Sequence, residues 1–273
     1  MSAHDPGLLQ TRLAQGPEAA PWPAHQTVAR MMGSLPMGGV VPHTPVHAFV
    51  ETPKLLQFGE LGVAPRRVDL ALDGLLAFTI DPVVTPVEAR AIVDASERLG
   101  YRDEAPGIAT PPGMRMNKSV HWVADEALLG PILQRIRPLL PPTIDGAVLQ
   151  SRLSHRLNMY RYDDQDVFNR HTDGDWPGYG LTADRRAMVE WPELRSCLTM
   201  LLYLNGPEEG VVGGATRLFS RTGALDVTPK TGAALFFRHG FGPGSVLHEG
   251  CLVSGSVSKY VARINVLYGP GYF

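Results

Sequence analysis

Apolar and polar positions alternate with two different periods along this chain, and the change of period divides it. In "TPVEARAIVDASERLGY" (85–101), Val87, Ala91, Ala95 and Leu99 fall on one face at helical spacing. Thr85 is placed to cap that helix, Pro86 takes its first position, Glu88 completes a capping box and Gly100 is a natural stop. A second helical segment, "DEALLGPILQRIRPLL" (125–140), is interrupted by Gly130-Pro131 and closed by Pro141-Pro142. Ahead of both, "VDLALDGLLAFTID" (68–81) has strand character. From about residue 150 the period becomes two. "LSHRLNMYRY" (153–162), "SCLTMLLYLN" (196–205), "ATRLF" (215–219), "GAALFFRH" (232–239) and "KYVARINVLY" (259–268) read as strands separated by Gly, Pro and Asp turns. Short strands with no helix between them predict an antiparallel sandwich or barrel. Residues 1–50, rich in Pro, Gly, Ala and His with no sustained period, read as an irregular N-terminal arm. The rest, 51–273, is expected to form one domain: helical support over about 80–145 and a β core over about 150–270.

Composition narrows the function classes. With 273 residues and 44% apolar content the chain can bury a sizeable core. A net charge of −2, with no block of Lys or Arg, speaks against a nucleic-acid partner. Two cysteines, Cys197 and Cys251, fit a reducing compartment better than a disulfide framework. No apolar run approaches membrane-spanning length and the first residues lack the apolar core of a secretion signal. A cytoplasmic protein without a membrane partner is the expectation.

The first candidate chemistry is "FNRHTDGDWPG" (168–178). Residues i and i+2 of a strand project to the same side, so His171 and Asp173 can offer an imidazole nitrogen and a carboxylate oxygen to one ion. His248, in "GPGSVLHEGCLVSG" 77 residues downstream (248 − 171), is the best candidate for a third ligand. Two histidines and a carboxylate suit non-haem Fe(II) with open positions. A lone HxD triplet is weak evidence, however. His248, like His121, His155 and His239, also reads as a hydrogen-bonded core histidine.

The text around the ligands adds specificity. "RYDDQDVFNRHTD" (161–173), "LTMLLYLN" (198–205), "GGATRLF" (213–219), "VTPKTGAALFF" (227–237) and "LHEGCLVSGSVSKYVARINVLY" (247–268) follow one another in the order of a known family. Residues 75–268 resemble the Fe(II)- and 2-oxoglutarate-dependent dioxygenases of the prolyl-4-hydroxylase type. The resemblance implies a mainly β fold with flanking helices, its core a double-stranded β-helix of the jelly-roll or cupin-like kind. It implies Fe(II) on His171, Asp173 and His248, with 2-oxoglutarate and O2 as co-substrates and ascorbate as a candidate reductant. It also implies a basic residue anchoring the far carboxylate of 2-oxoglutarate. Lys259 lies 11 residues after His248 (259 − 248) and lines up with the family's Lys-aromatic-aliphatic run; Arg263, four further on, is the other candidate. Both face one side of the strand with Val261 and Asn265. Tyr203, by resemblance, hydrogen-bonds the same carboxylate, with Tyr162 and Thr199 as weaker candidates.

Asp173 favours hydroxylation over halogenation, since related halogenases carry a small residue at that position. Substrate recognition is expected from the connection 174–194, through Trp176, Tyr179, Trp191, Arg185 or Arg186, and from Arg115 and Asn117 in "GMRMNKS" (113–119). The expected substrate is a small molecule or peptidyl residue, with a homodimer left open. Two competing readings remain at this point: a nucleic-acid or protein dealkylase of the same fold, supported by "RIN" (263–265), and a non-catalytic metal-binding barrel protein.

Overall fold

The structure, a computed structural model, describes residues 22–31, 44–103 and 113–271. Its first two strands, β1 (His25–Met31) and β2 (Thr44–Phe49), pair antiparallel inside the stretch expected to be irregular. The expectation fails here for a physical reason. β2 is buried along nearly its whole length, so it shows a continuous apolar run and not an alternation. The rest of the expected arm, 1–21 and 32–43, lies outside the described residues.

The run 68–81 is not one strand but a hairpin of β3 (Arg66–Asp69) and β4 (Ala77–Asp81). Between them Asp73 and Gly74 both take positive φ, 51° and 83°, as a tight hairpin turn requires. Helix α1 (Pro86–Leu99) has the predicted capping box: Glu88 N–H donates to Thr85 Oγ1 and Thr85 N–H to the Glu88 carboxylate. Val87 is 80% exposed, against expectation. The buried stripe is centred on Ile92 and Leu99, and Val87 lies nearly opposite it at 100° per residue. After β5 (Lys118–Val123), helix α2 (Glu126–Ile136) runs straight through Gly130-Pro131. Only about one turn precedes Pro131, so a single backbone hydrogen bond is forgone.

The β region begins with β6 (Thr143–Ile144), β7 (Ala147–Leu153), β8 (Arg156–Tyr162) and β9 (Phe168–His171). It continues through β10 (Pro177–Leu181), β11 (Met188–Tyr203), β12 (Val212–Gly213) and β13 (Thr216–Phe219). It ends with β14 (Ala224–Val227), β15 (Ala234–Arg238), β16 (Leu247–Gly250), β17 (Val253–Ser254) and β18 (Lys259–Gly269).

A large sheet of order β1-β2-β5-β8-β18-β11-β15-β4-β3 faces a smaller one of order β14-β13-β16-β9. The two together are a double-stranded β-helix, as the sequence reading expects. The period of two explains how the layers pack. On β11, Leu198, Met200 and Leu202 turn outward into the core shared with α1 and α2, while Leu201 and Tyr203 turn inward against Leu218 of the small sheet. On β18 the outward residues are Ala262, Ile264, Val266 and Tyr268. The inward alternates are Lys259, Val261, Arg263 and Asn265, all buried although three of them are polar or charged. A polar face turned into the protein is what positions the site.

Candidate metal centre

His171 ends β9 and His248 lies on β16, and the two are cross-strand partners in the small sheet. Their ring centroids stand 4.2 Å apart. Asp173 follows two residues after His171. One ligand atom from each of His171, Asp173 and His248 falls within 4.8 Å of the others. His171 Nε2 is 3.9 Å from Asp173 Oδ1, and His248 Nε2 is 3.8 Å from Oδ2.

The surroundings aim these atoms. His171 Nδ1–H donates to the Asn169 carbonyl at 2.7 Å and His248 Nδ1–H to the Val246 carbonyl at 3.0 Å. Each bond fixes the tautomer that leaves Nε2 as a free lone pair pointing into the site. Phe168 stacks on the His171 ring at 3.6 Å, and Phe237 packs on His248 at 4.4 Å. Burial, reinforced by His248, lowers the His171 pKa to about 4, and burial lowers that of His248. Both rings are therefore neutral and able to ligate at neutral pH. Burial alone would raise the Asp173 carboxyl, but Arg263, His248 and His171 outweigh it and hold the group well below the usual carboxylate range.

Asp173 is itself held from behind. Its Oδ2 accepts from Arg263 Nε at 2.9 Å and from the Thr199 hydroxyl at 2.6 Å. Thr199 gives its only proton to Asp173, so His239 Nδ1 is the donor in the 2.7 Å contact with Thr199. His239 Nε2 then accepts from Ser196 Oγ at 2.8 Å, and Ser196 Oγ accepts the Trp176 N–H. Thr199, expected near 2-oxoglutarate, instead touches the carboxylate ligand. His239, read only as a core histidine, orients Thr199 from the far side.

Beside the three ligands lies a small cavity that is also lined by Tyr162, Thr216, Lys259 and Arg263. Lys259 is 2% exposed and its Nζ donates to the Gly214 carbonyl at 2.5 Å. Tyr162 and Tyr203 face it with ring centroids at 4.9 and 5.7 Å. Burial lowers its pKa to about 8. The chain leaves room for it at Gly214 (φ 68°), where a Cβ would sit 2.9 Å from Lys259 Cδ. A Cβ on Gly250 would likewise meet the Tyr162 hydroxyl at 2.9 Å. The Tyr203 hydroxyl donates to Thr216 Oγ1 at 2.8 Å; Thr216 is a lining residue that the sequence reading passed over.

The expected substrate residues separate into two groups. The connection 174–194 is not a loop but the hairpin of β10 and β11, joined by a short turn. Trp191 on it packs against His155 at 5.1 Å and beneath Arg152. Arg185 reaches Asp125 and the Phe49 carbonyl, and Arg186 is exposed. None of these three lines the metal cavity. Trp176 and Tyr179 instead flank Arg156, a residue the sequence reading missed. Arg115 lies over the Tyr160 and Phe168 rings at the cavity wall, supported by Asn117 through a 3.3 Å bond. No helix among the described residues is long and apolar enough to cross a membrane.

The donor set fits a hard-to-borderline divalent ion with exchangeable positions, and the buried ammonium beside it fits a carboxylate. Comparison with known proteins bears on both. A family model described as the 2OG-Fe(II) oxygenase superfamily matches residues 157–267. Among curated proteins, none matches this sequence. Among solved structures, a viral collagen prolyl hydroxylase from Paramecium Bursaria Chlorella virus-1 aligns at 21% identity over 72% of this chain and 98% of its own, with a TM-score of 0.48. A Pseudomonas putida prolyl-4-hydroxylase aligns at 16% identity over 71% and 93%, with a TM-score of 0.46. Residues 157–267, which carry all three converging ligands and Lys259, belong to the 2OG-Fe(II) oxygenase superfamily, whose members use Fe(II), 2-oxoglutarate and O2.

Proposed function

We propose that this protein is an iron-dependent hydroxylase. It couples oxidative decarboxylation of 2-oxoglutarate to succinate and CO2 with hydroxylation of an unactivated C–H bond in an amino acid, a peptidyl residue or a small metabolite. The observation that carries this reading is the convergence of the His171, Asp173 and His248 donor atoms within 4.8 Å, next to a buried lysine without a carboxylate partner among the described residues.

In this reading His171 and His248 give Nε2 to the iron and Asp173 gives a carboxylate oxygen. Iron with 2-oxoglutarate and O2 supplies the oxidising power; the protein supplies position and dryness. Arg263 and Thr199 hold Asp173 Oδ2 and so orient the carboxylate toward the ion. Lys259 binds the far carboxylate of 2-oxoglutarate, and Thr216 and Tyr162 line its path. Arg263 is already committed to Asp173, which favours Lys259 as the anchor. The test is succinate formation from 2-oxoglutarate. It should require added Fe(II) and disappear in His171→Ala; formation that survives that substitution contradicts the proposal.

A further inference from the structure

Nine buried side-chain polar atoms among the described residues have no hydrogen-bond partner. Six belong to one patch: Arg115 Nη2, His121 Nε2, Arg156 Nε, Asn158 Oδ1, Arg263 Nη2 and Asn265 Oδ1. Scattered orphans would be unremarkable, but these are neighbours. His121, Asn158 and Arg263 are partners in register across β5, β8 and β18, so their side chains share the inward face. Arg156 lies two residues from Asn158 on the same face, roughly 7 Å along the strand. Its Nη2 donates to His121 Nδ1 at 3.5 Å, which leaves the His121 proton on Nε2 as a donor with nothing to receive it. Burial, with Arg156, Arg115 and Arg263 around the ring, keeps His121 neutral.

The charges of this patch do not cancel. Of its three guanidinium groups only Arg263 has a carboxylate, Asp173; neither Arg115 nor Arg156 makes an ion pair among the described residues. Iron and 2-oxoglutarate carry equal and opposite charge, so loading the site does not supply a counter-ion. A buried cation without an anion is costly, and four unmatched donors against two amide oxygens call for an acceptor of negative charge. An internal peptide segment brings no such group.

We propose that the substrate is an acid whose carboxylate is held by Arg156, with Arg115 and the His121 Nε2–H as further donors. This rests on the oxygenase reading of the metal centre and adds the substrate class to it. Arg156 stands one strand alternation from the row of Arg263, which bonds Asp173, so the carboxylate lies close to the carbon that is oxidised. Trp176 and Tyr179, with centroids 5.8 and 5.4 Å from the Arg156 guanidinium, hold that group in place from the sides.

The test uses full-length protein loaded with zinc and 2-oxoglutarate, which binds without turning over. Acetate is the probe, with acetamide as its neutral counterpart and sodium chloride at equal ionic strength as background. Acetate should raise the melting temperature in a saturable way and acetamide should not. In Arg156→Met the apparent acetate affinity should fall at least about tenfold. Its melting temperature without acetate should equal or exceed that of the wild type, because an uncompensated buried cation has been removed. Arg156→Lys, which keeps the charge, should keep part of the response. Equal responses to acetate and acetamide in the wild type, or an acetate response unchanged in Arg156→Met, overturn the proposal. Free amino acids and short peptides with a free C-terminus share this chemistry. Stimulation of succinate formation by each, set against its C-terminal amide, tells the two sources apart; amides that stimulate as strongly as the acids contradict it. The Fe(II)/2-oxoglutarate absorption band of the wild type separates the two claims. A band without an acetate response sinks only the substrate class, whereas absence of the band sinks the oxygenase reading.

Discussion

Lys259 and Arg263 are two cations on one face of β18, four residues apart, and they do different work. Arg263 bonds Asp173, whereas Lys259 has only a carbonyl oxygen and two tyrosine faces. If Lys259 anchors 2-oxoglutarate, Lys259→Met should weaken its binding at least about 30-fold while metal affinity holds. Arg263→Met should instead weaken the metal by roughly 10- to 100-fold, since the orientation of a ligand is lost. Isothermal titration with each component decides the matter. The pH dependence follows from the same residue. Burial lowers the free lysine to about pH 8, and a bound carboxylate raises it again. Binding above pH 8 must therefore take up a proton, so 2-oxoglutarate affinity should fall as pH rises from 8 toward 10. A flat profile over that range would exclude Lys259 as the anchor. At this scale the metal ligands were legible, because HxD spacing puts two donors on one side of a strand end. Arg156 was not. The alternation in "LSHRLNMYRY" was plain, but a polar face usually meets solvent, and here Arg156, Asn158 and Tyr160 turn inward.

Among the elements, helix α1 was the most readable, because its capping signals are local. Thr85→Ala should cost about 1 kcal/mol in a denaturation experiment and leave metal affinity unchanged, since the helix packs on the outer face of the large sheet. The β10–β11 hairpin was the least readable. Pro177, Gly178 and Gly180 weaken the strand signal, and "ADRR" reads as loop. The glycines have a packing reason that sequence does not reveal: a Cβ on Gly180 would lie 2.3 Å from the Trp191 ring. Gly180→Val should therefore displace Trp191 and lower the melting temperature. An unchanged melt would mean that the hairpin does not need this contact. β2 escaped notice for the opposite reason, being buried on both faces and so without alternation.

For the molecule as a whole, the double-stranded β-helix places a row of neutral histidines at its centre. Burial lowers His171 and His239 to about 4, and also lowers His248. An unfolded histidine takes its proton near 6.5, so between 6.5 and about 4 the unfolded chain binds more protons than the folded one. Stability is then present above 6.5 and lost progressively as pH falls through that window, and any bound metal is released with it. Melting temperatures of the metal-free protein measured from pH 7.5 to 4.5 should fall monotonically; a rise on acidification would mean that these rings are charged in the native state. The order of strands was largely legible because the family-like motifs are collinear with them. The inward polar face was not, since it exists only when two sheets close on each other. The most direct test of the central claim is anaerobic addition of 2-oxoglutarate to the Fe(II) protein, followed by visible absorption. The account predicts a weak charge-transfer band that saturates at one equivalent and is absent in His171→Ala and His248→Ala. No band in the wild type, or an equal band in either variant, would contradict it.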